Sequence, residues 1–595
     1  MQSPVDNPLC EDSPTDEQPR SSRGPGPVPV ALVAVLGAAA ILYVAPLAKV
    51  PFYTKGEPRE AIVVQSIVDH GEWVLPLRNG NEIPSKPPMF HWLGAGASLA
   101  VGAVSEWSVR LPSAVASLAT AAAVGIVGAA LWGSSAGVMA AIVLLTSLQW
   151  TVSATTARVD MLLAAFISAA LLTFLSCYRA GRRPLSLLFY VFCSAAVLTK
   201  GPVGLVLPVA VVATFLLVES DLAYFKKLRP RAGSAVLGFA VIWYALATWK
   251  GGSAFIDKLV FKENVFRVID ANAVSAGHVH SAWYYLPALL AGFAPWSLFI
   301  PGIATDLWRR RLELRPDRTL FMLCWLLVTL ALFSVASSKR GVYLLSAYPA
   351  LALMCGHWWS RQASASLPPG DAARRLLSWS GSLVAALAVV PVLIALLHAA
   401  GIQAVFFVEP LLSRTDAANL PAVAATLDAS PWLVLAWSVS VLLLVLATTA
   451  ASMRGRRLTV FCCVSLLVAA SQLSLPITFQ QDIGRSQGLK GFMQRVVSAV
   501  PGDDPLYLFG FFDYGAVFYA GRDLPPLPEP ALLDDSGEDE KKLWILAREG
   551  SVADLSAALN YHFEEVMRYT YGDNQRREPL VLLYVTAHGK DEQPG

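Results

Sequence analysis

The chain has 595 residues, 55% of them hydrophobic and only 15% charged, with 46 basic side chains against 43 acidic ones and a mean hydropathy of +0.52. Soluble domains carry about 25% charged residues, so a water-soluble, collagenous, disordered or disulfide-scaffold protein is excluded. The net charge of +3 provides no global field for nucleic acid.

Residues 1–26 are polar, rich in Pro, Ser, Asp and Glu, and read as a disordered cytoplasmic tail. The apolar run at 27–47 exceeds a signal-peptide core and no small-residue cleavage pattern follows it, so it is expected to be retained as a first span. Apolar windows near the roughly 20 residues that a bilayer span requires then recur at 112–132, 135–152, 160–178, 185–199, 202–218, 233–249, 284–303, 320–337, 342–358, 378–399, 432–452 and 458–476. These make thirteen spans in a membrane domain over 27–476. Basic residues near span ends favour the cytoplasm. With the N-terminus inside, the clusters at Arg179/Arg182/Arg183, Lys226/Lys227/Arg229/Arg231, Arg309–Arg318, Arg361/Arg374/Arg375 and Arg454/Arg456/Arg457 all fall there.

Three segments then lie on the outer face, at about 48–111, about 250–283 and everything from 477 to 595. In the first, Pro58–His70 carries an apolar stripe but is too short to span, which suits a helix lying in the interface, and His91–Val104 could be a second. The tail alternates a helix at Leu489–Val500, apolar runs at Leu506–Phe511 and Leu543–Ala547, a helix at Val552–Leu559 and a strand at Leu580–Thr586. That alternation reads as a small α/β domain. The fold class is therefore a polytopic α-helical membrane protein with about thirteen transmembrane helices, interfacial helices in the first outer loop and a C-terminal α/β soluble domain. The seven cysteines lack metal-ligand spacing with histidine and read as small core residues.

The polar residues that interrupt apolar sequence outside the basic clusters share the outer side. They are Glu57, Arg59 and Glu60 after the first span, Lys86, the Arg158/Asp160 pair, Lys200 in a Thr-Lys-Gly-Pro turn, Glu263, Arg267, His278 and His280, and Lys339 with Arg340. Carboxylates and cations converging at one membrane surface point to a site for an anionic, membrane-borne substrate. Each also has a plainer reading. Glu57-Pro58 could simply start a helix, Arg158 could snorkel to the surface, Lys86 could touch headgroups, Lys200 could be a turn lysine, and the histidines could be structural. Trp283, Trp296, Tyr284 and Tyr285 are expected to form an aromatic belt.

In their order, these residues resemble a known family. Gly56-Glu57-Pro58-Arg59-Glu60-Ala61, Gly71-Glu72-Trp73-Val74-Leu75-Pro76, Asn79-Gly80 and Lys86-Pro87-Pro88 are followed by Arg110-Leu111-Pro112-Ser113, Arg158-Val159-Asp160-Met161 and Leu198-Thr199-Lys200-Gly201-Pro202. Glu263-Asn264 with Arg267, Tyr284-Tyr285-Leu286-Pro287, Pro295-Trp296-Ser297, and Ser337-Ser338-Lys339 with Tyr343 complete the series. The set resembles membrane glycosyltransferases that use polyprenyl-phosphate sugars, such as bacterial aminoarabinose transferases acting on lipid A and protein O-mannosyltransferases, across about 27–358. The resemblance implies the large-loop membrane glycosyltransferase fold (GT-C type). It also implies a catalytic carboxylate in the first outer loop, here Glu57 because Gly56 stands where an aspartate is usual, and a second acid at Asp160. Lys86, Arg267 and Tyr343 match positions expected to bind the donor phosphate, and Ile83 stands where an aromatic is usual.

The expected reaction moves a sugar from a polyprenyl-phosphate donor to a lipid A-like lipid, a glycan or a protein on the outer face of a bacterial inner membrane, with inversion. Glu57 would be the general base. Lys86, Arg267 and Lys339 would hold the phosphate, and Arg59, Arg158, Lys200, His278 and Tyr343 complete the candidate binding set. No cofactor is called for, although two nearby carboxylates could recruit a divalent cation in principle. The rival from another class is a transporter or lipid flippase. Against it, the ionisable residues cluster at span ends rather than midplane, and no repeat is visible. A structural assembly protein would account for the tail but not for the ordered charges.

Overall fold

The structure, a computed structural model, describes residues 30–52, 54, 56–180, 186–266, 281–309, 316–336, 338–364, 372–412, 417, 419–474, 480–502, 504–527, 543–558, 562–571 and 578–586. It is built mainly of helices, and each apolar stretch expected to span is helical over most of its length. Among the described residues, six helices are long and apolar enough to cross a membrane: Glu106–Trp132, Val159–Arg179, Pro230–Glu263, Arg318–Val335, Trp379–Ala399 and Pro431–Met453. The number is eight if two bent pairs, Ser134–Leu145 with Leu148–Ala154 and Tyr285–Gly292 with Trp296–Arg309, each count as one span.

The elements that position the site lie in the first 220 residues. They are α1 (Val30–Val44), α2 (Gly56–His70), α3 (Met89–Val101), α4 (Glu106–Trp132), α5 (Ser134–Leu145), α6 (Leu148–Ala154), α7 (Val159–Ala180), α8 (Ser186–Lys200) and α9 (Val203–Val218). α2 and α3 cover the two stretches expected to form interfacial helices. At about 1.5 Å rise per residue, their 15 and 13 residues fall short of the roughly 30 Å hydrocarbon core. α2 buries Ala61, Ile62, Val63, Val64 and Ile67, and a Cβ added to Gly94 of α3 would stand only 2.8 Å from Val64 Cγ2.

α4 begins earlier than the apolar run suggests. Ser105 caps it through a reciprocal pair with Ser108, so the polar start Glu106–Leu111 is helical and Arg110 sits inside the helix. α4 and α5 approach closely because small residues face each other: a Cβ on Gly137 would stand 2.2 Å from the Gly125 carbonyl oxygen. α7 and α8 form an antiparallel pair, so the first turn of α7 and the last turn of α8 share one end.

The expected aromatic belt is only partly present. Trp283 is exposed, but Trp296 is fully buried and its indole N–H donates to Thr146 Oγ1 at 2.9 Å. Tyr285 is also buried, and its hydroxyl accepts from the Arg340 backbone N–H at 3.3 Å. Burial of both is stabilised because each polar tip finds a partner. Cys462 is exposed, and the other described cysteines are buried; Cys10 lies outside the described residues.

The C-terminal segment folds around a four-stranded sheet. Its strands are β1 (Leu506–Phe509), β2 (Leu543–Arg548), β3 (His562–Tyr569) and β4 (Leu580–Thr586), in the order β1-β2-β4-β3. β1 and β2 run parallel and the other pairs antiparallel. Segments packed around the sheet meet the stretch between α1 and α4. The Asn79 side chain accepts from the Leu524 N–H at 2.6 Å and donates to the Leu524 carbonyl at 2.7 Å. Lys490 pairs with Glu106 at 2.7 Å, and the Tyr519 hydroxyl accepts from the Phe52 N–H at 2.7 Å.

Candidate active site

The expected carboxylates meet cations at one end of the helical bundle. Glu57, in the first turn of α2, is 2% exposed and pairs two-pronged with Arg110 of α4. Arg110 Nε donates to Oε1 at 2.7 Å and Nη2 to Oε2 at 3.0 Å. The Ala157 N–H, just ahead of α7, donates to Oε1 at 2.9 Å. Arg110 Nη1 donates to the carbonyls of Leu47 and Val50 at 2.8 and 2.6 Å, and its guanidinium lies 4.8 Å from the Phe52 ring centre. One buried pair therefore ties together the stretch after α1, α2, α4 and the entry to α7.

Asp160 occupies the first turn of α7 and Lys200 the last turn of α8, each at the helix end whose dipole favours its charge. Their side chains pair directly. The opposite carboxylate oxygen, Oδ2, faces Arg158 Nε at 4.0 Å. Gly201 adopts φ +93°, a conformation open to glycine without strain, and turns the chain into α9. Tyr343 covers this group with its ring centre 4.0 Å from Lys200 Nζ. Lys86 pairs with Glu263 at 2.7 Å.

Arg59 and Glu60 form a third cluster with His91. Arg59 Nε and Nη2 donate to Glu60 Oε1 at 3.1 and 2.8 Å, while His91 Nε2 lies 2.9 Å from Oε2. Burial disfavours the Glu60 charge, but Arg59, the His91 hydrogen bond and the more distant Arg78 outweigh it and hold the carboxyl well below the ordinary range.

These groups line three adjoining cavities. An apolar cavity of about 810 Å³ runs between α9 and the Pro316–Val335 helix, walled by Val203, Val206, Val328, Leu332 and Val335, and ends at Lys86, Asp160, Lys200 and Tyr343. Val206 and Val335 are exposed on its flank. A small polar cavity of about 30 Å³ adjoins that end, where five basic side chains (Arg59, Lys86, Arg158, Lys200 and Arg340) face two carboxylates, Glu60 and Asp160. A third cavity, about 210 Å³, is lined by Glu57, Arg110, Gln149, Ser153, Thr155, Thr156, Arg158, Asp160 and Gln480. Asp160 borders all three.

Of the residues expected from the sequence, Glu57, Arg59, Lys86, Arg158, Asp160, Lys200 and Tyr343 all line at least one of these cavities. Lys339 does not. It is buried, and its ammonium donates to the Ala336 carbonyl at 2.8 Å, so its neighbour Arg340 faces the polar cavity instead. Arg267, His278 and His280 lie outside the described residues. Arg110, Gln149, Thr155, Thr156 and Gln480 were not among the expected site residues, and Arg340 stood among the converging charges without a role in binding. Arg340 was visible as a charge beside Lys339, but the choice between neighbouring cations depends on how the turn at Gly341–Ala347 begins. Among the described residues, no three His, Cys, Asp or Glu side chains gather in a metal-binding group.

Comparisons with known proteins bear out the resemblance read from the ordered motifs. Residues 85–249 match the family described as dolichyl-phosphate-mannose-protein mannosyltransferase. The undecaprenyl phosphate-alpha-4-amino-4-deoxy-L-arabinose arabinosyl transferase of Pectobacterium atrosepticum is 28% identical over 326 residues, 54% of this chain and 57% of the relative. That of Aeromonas hydrophila is 27% identical over 52% of this chain and 57% of the relative. The matches thus span less than two thirds of these relatives' length. Among solved structures, ArnT from Cupriavidus metallidurans bound to undecaprenyl phosphate superposes with a TM-score of 0.74 at 20% identity, over 93% of this chain and 97% of that one. The chain is a multi-span helical membrane protein with that fold.

Proposed function

We propose that the protein is a membrane glycosyltransferase that moves a sugar from a polyprenyl-phosphate donor to a hydroxyl or similar nucleophile on a lipid, glycan or protein acceptor. The observation that carries the proposal is the position of Asp160 on the wall of all three cavities, the apolar one, the small polar one rich in cations and the third, of about 210 Å³. A donor laid along that line would have its tail between α9 and the Pro316–Val335 helix, its phosphate among Lys86, Arg158, Lys200, Arg340 and Tyr343 in the small polar cavity, and its sugar in the third cavity, of about 210 Å³. Arg267 remains part of the proposed binding set on the strength of the resemblance, and His278 as one of the charged or polar residues expected on the outer side. The family match and the transferase relatives support the same reaction class.

In this reading Asp160, rather than Glu57, is the general base. Both Glu57 oxygens already accept from Arg110, and a carboxylate locked in a buried two-pronged pair is a poor proton acceptor. Asp160 Oδ1 takes the Lys200 pair, while among the described residues Oδ2 faces Arg158 at the longer distance of 4.0 Å and is the oxygen open to a hydroxyl proton. The acceptor oxygen forms a bond to the anomeric carbon, the bond from that carbon to the phosphate oxygen breaks, and the hydroxyl proton passes to Asp160. Direct displacement inverts the anomeric centre. The negative charge growing on the leaving phosphate is met by fixed side-chain cations, the largest electrostatic contribution available to the site.

The finer membrane picture also belongs to this reading. It has thirteen spans with an inside N-terminus, the site and the C-terminal sheet on the outer face of a bacterial inner membrane, and residues 477–595 as a separate domain above the first outer loop. The test is purified full-length protein in detergent, incubated with undecaprenyl-phosphate sugar labelled in the sugar and with an envelope extract as acceptor. Transfer of label off the lipid without any gradient supports the reading. Label that stays on the lipid while the protein moves it across a vesicle membrane would favour the flippase alternative.

A further inference from the structure

We infer that Glu263, acting through Lys86, sets how tightly the site holds a phosphate according to its charge, and so lets the spent lipid phosphate leave after transfer. The inference rests on the proposed function, in which the donor phosphate lies in the small polar cavity.

Transfer changes the charge of the lipid headgroup. The sugar-bearing donor is a phosphodiester with one negative charge. Once the bond from the anomeric carbon to the phosphate oxygen breaks, the lipid keeps a phosphate monoester, which carries about −1.5 to −2 at neutral pH. A site made only of cations would grip that product harder than the donor, and release of product limits the rate of many enzymes.

The structure places an opposing charge beside the cationic cluster. Five basic side chains line the small polar cavity together with two carboxylates, Glu60 and Asp160. A third carboxylate, Glu263, lines the polar end of the apolar cavity instead, and Lys86 borders both spaces. Glu263 Oε2 stands 2.7 Å from Lys86 Nζ, and the two side chains are only 18% and 10% exposed, so salt screens the pair weakly. Among the described residues, the cluster has a formal surplus of two positive charges with Glu263 and of three without it. Attraction scales with the charge of the phosphate, so the added positive charge would favour a monoester about twice as strongly as a diester.

Glu263 is held in place independently of Lys86. It belongs to the π-helical stretch Ile256–Phe266, a conformation often found at functional sites. The chain bends ahead of that stretch at Gly252, whose φ of +58° is open to glycine without strain. Lys258 of the same stretch pairs with Glu82 at 2.9 Å, four residues before Lys86. A substitution at Glu263 therefore leaves the stretch tied to the segment that carries Lys86.

The experiment measures binding of undecaprenyl phosphate, its methyl ester and undecaprenol to the purified full-length protein in detergent at neutral pH. The two phosphates differ by one methyl group and about one charge, and undecaprenol lacks the phosphate. Glu263→Gln should shift the ratio of their dissociation constants towards the monoester by at least about tenfold relative to the native protein. Glu263→Asp, which keeps the charge, should stay within about threefold of the native ratio. A role confined to holding Lys86 in place would weaken both phosphates alike and leave the ratio unmoved. Glu263→Ala reports the same shift if Glu263→Gln does not fold. An unchanged ratio in the uncharged variant, or a shift towards the methyl ester, overturns the inference, and so does an equal shift in Glu263→Asp. If neither phosphate lipid binds the native protein better than undecaprenol, the proposed function itself fails.

Discussion

The Glu57 carboxylate and the Arg110 guanidinium form a buried two-pronged pair, at 2.7 and 3.0 Å, that joins the first interfacial helix to a membrane helix 53 residues away. Removing one partner of such a pair leaves the other charged, buried and unmatched, at a cost of about 3–5 kcal/mol. Glu57→Gln is therefore expected to lower thermal stability in detergent and to weaken donor binding with it. A double variant, Glu57→Gln with Arg110→Met, should lose less stability than the two single changes combined, because it removes both charges. A stable Glu57→Gln that binds donor but does not turn over would restore Glu57 as the base.

Arg340, not Lys339, should be the phosphate ligand. Among the described residues Arg340 Nε is buried without a hydrogen-bond partner in the wall of the small polar cavity, and an orphaned donor of this kind is costly until an acceptor arrives. Arg340→Ala should weaken binding of undecaprenyl phosphate by at least about tenfold, the scale of one charge-assisted hydrogen bond. Lys339→Ala should lower the melting temperature while leaving the dissociation constant of the surviving folded protein nearly unchanged. Isothermal titration of both variants separates the two residues.

Acid should loosen the first outer loop through Glu60. Its carboxyl is held well below the ordinary range by Arg59 and His91 despite burial, so the native state binds its proton less readily than the unfolded chain. The resulting stability is complete above the ordinary carboxyl value of about 4.3 and is lost as pH falls through the lower native value. Melting temperature measured between neutral pH and pH 3 should fall more steeply for the native protein than for Glu60→Gln. Parallel curves would show that Glu60 contributes nothing to the slope.

The C-terminal sheet should depend on Asn79 for its seat. This residue holds φ +47° and exchanges two hydrogen bonds with the Leu524 backbone. Asn79→Ala leaves two buried backbone groups unsatisfied, at about 1–3 kcal/mol for each. Limited proteolysis should then release a fragment from residues beyond 477 faster than in the native protein. An unchanged cleavage rate would mean that the Lys490–Glu106 and Tyr519–Phe52 contacts suffice.

Much of this arrangement is legible in the sequence because a bilayer makes burial visible as apolar length. The α7–α8 hairpin follows from two apolar runs separated by a basic turn, and that pairing alone brings Asp160 to Lys200 across 40 residues. The interfacial helices were visible for the same reason, as amphipathic runs too short to span. What escaped was set by local geometry. The start of α4 reads as loop because its first residues are polar, yet the Ser105–Ser108 cap makes them helical and carries Arg110 to Glu57. β3 escaped because Glu564, Glu565 and Arg568 interrupt its apolar pattern, although it pairs with β4. Lys339 and Arg340 look alike in sequence, and only the path of the following turn separates them. Glu57 was recognisable as a site carboxylate, but its partner, which changes its chemistry, comes from a distant helix.

The proposed mechanism places the acceptor proton on Asp160, and Asp160→Asn tests that most directly when binding and transfer are measured on the same protein. Losing the carboxylate charge leaves Lys200 and Arg158 freer to meet phosphate, so donor affinity should hold or tighten. The single-turnover transfer rate should fall by about 100- to 10,000-fold, the usual range for a positioned base. Transfer at the native rate in Asp160→Asn, with donor bound as before, would contradict the account.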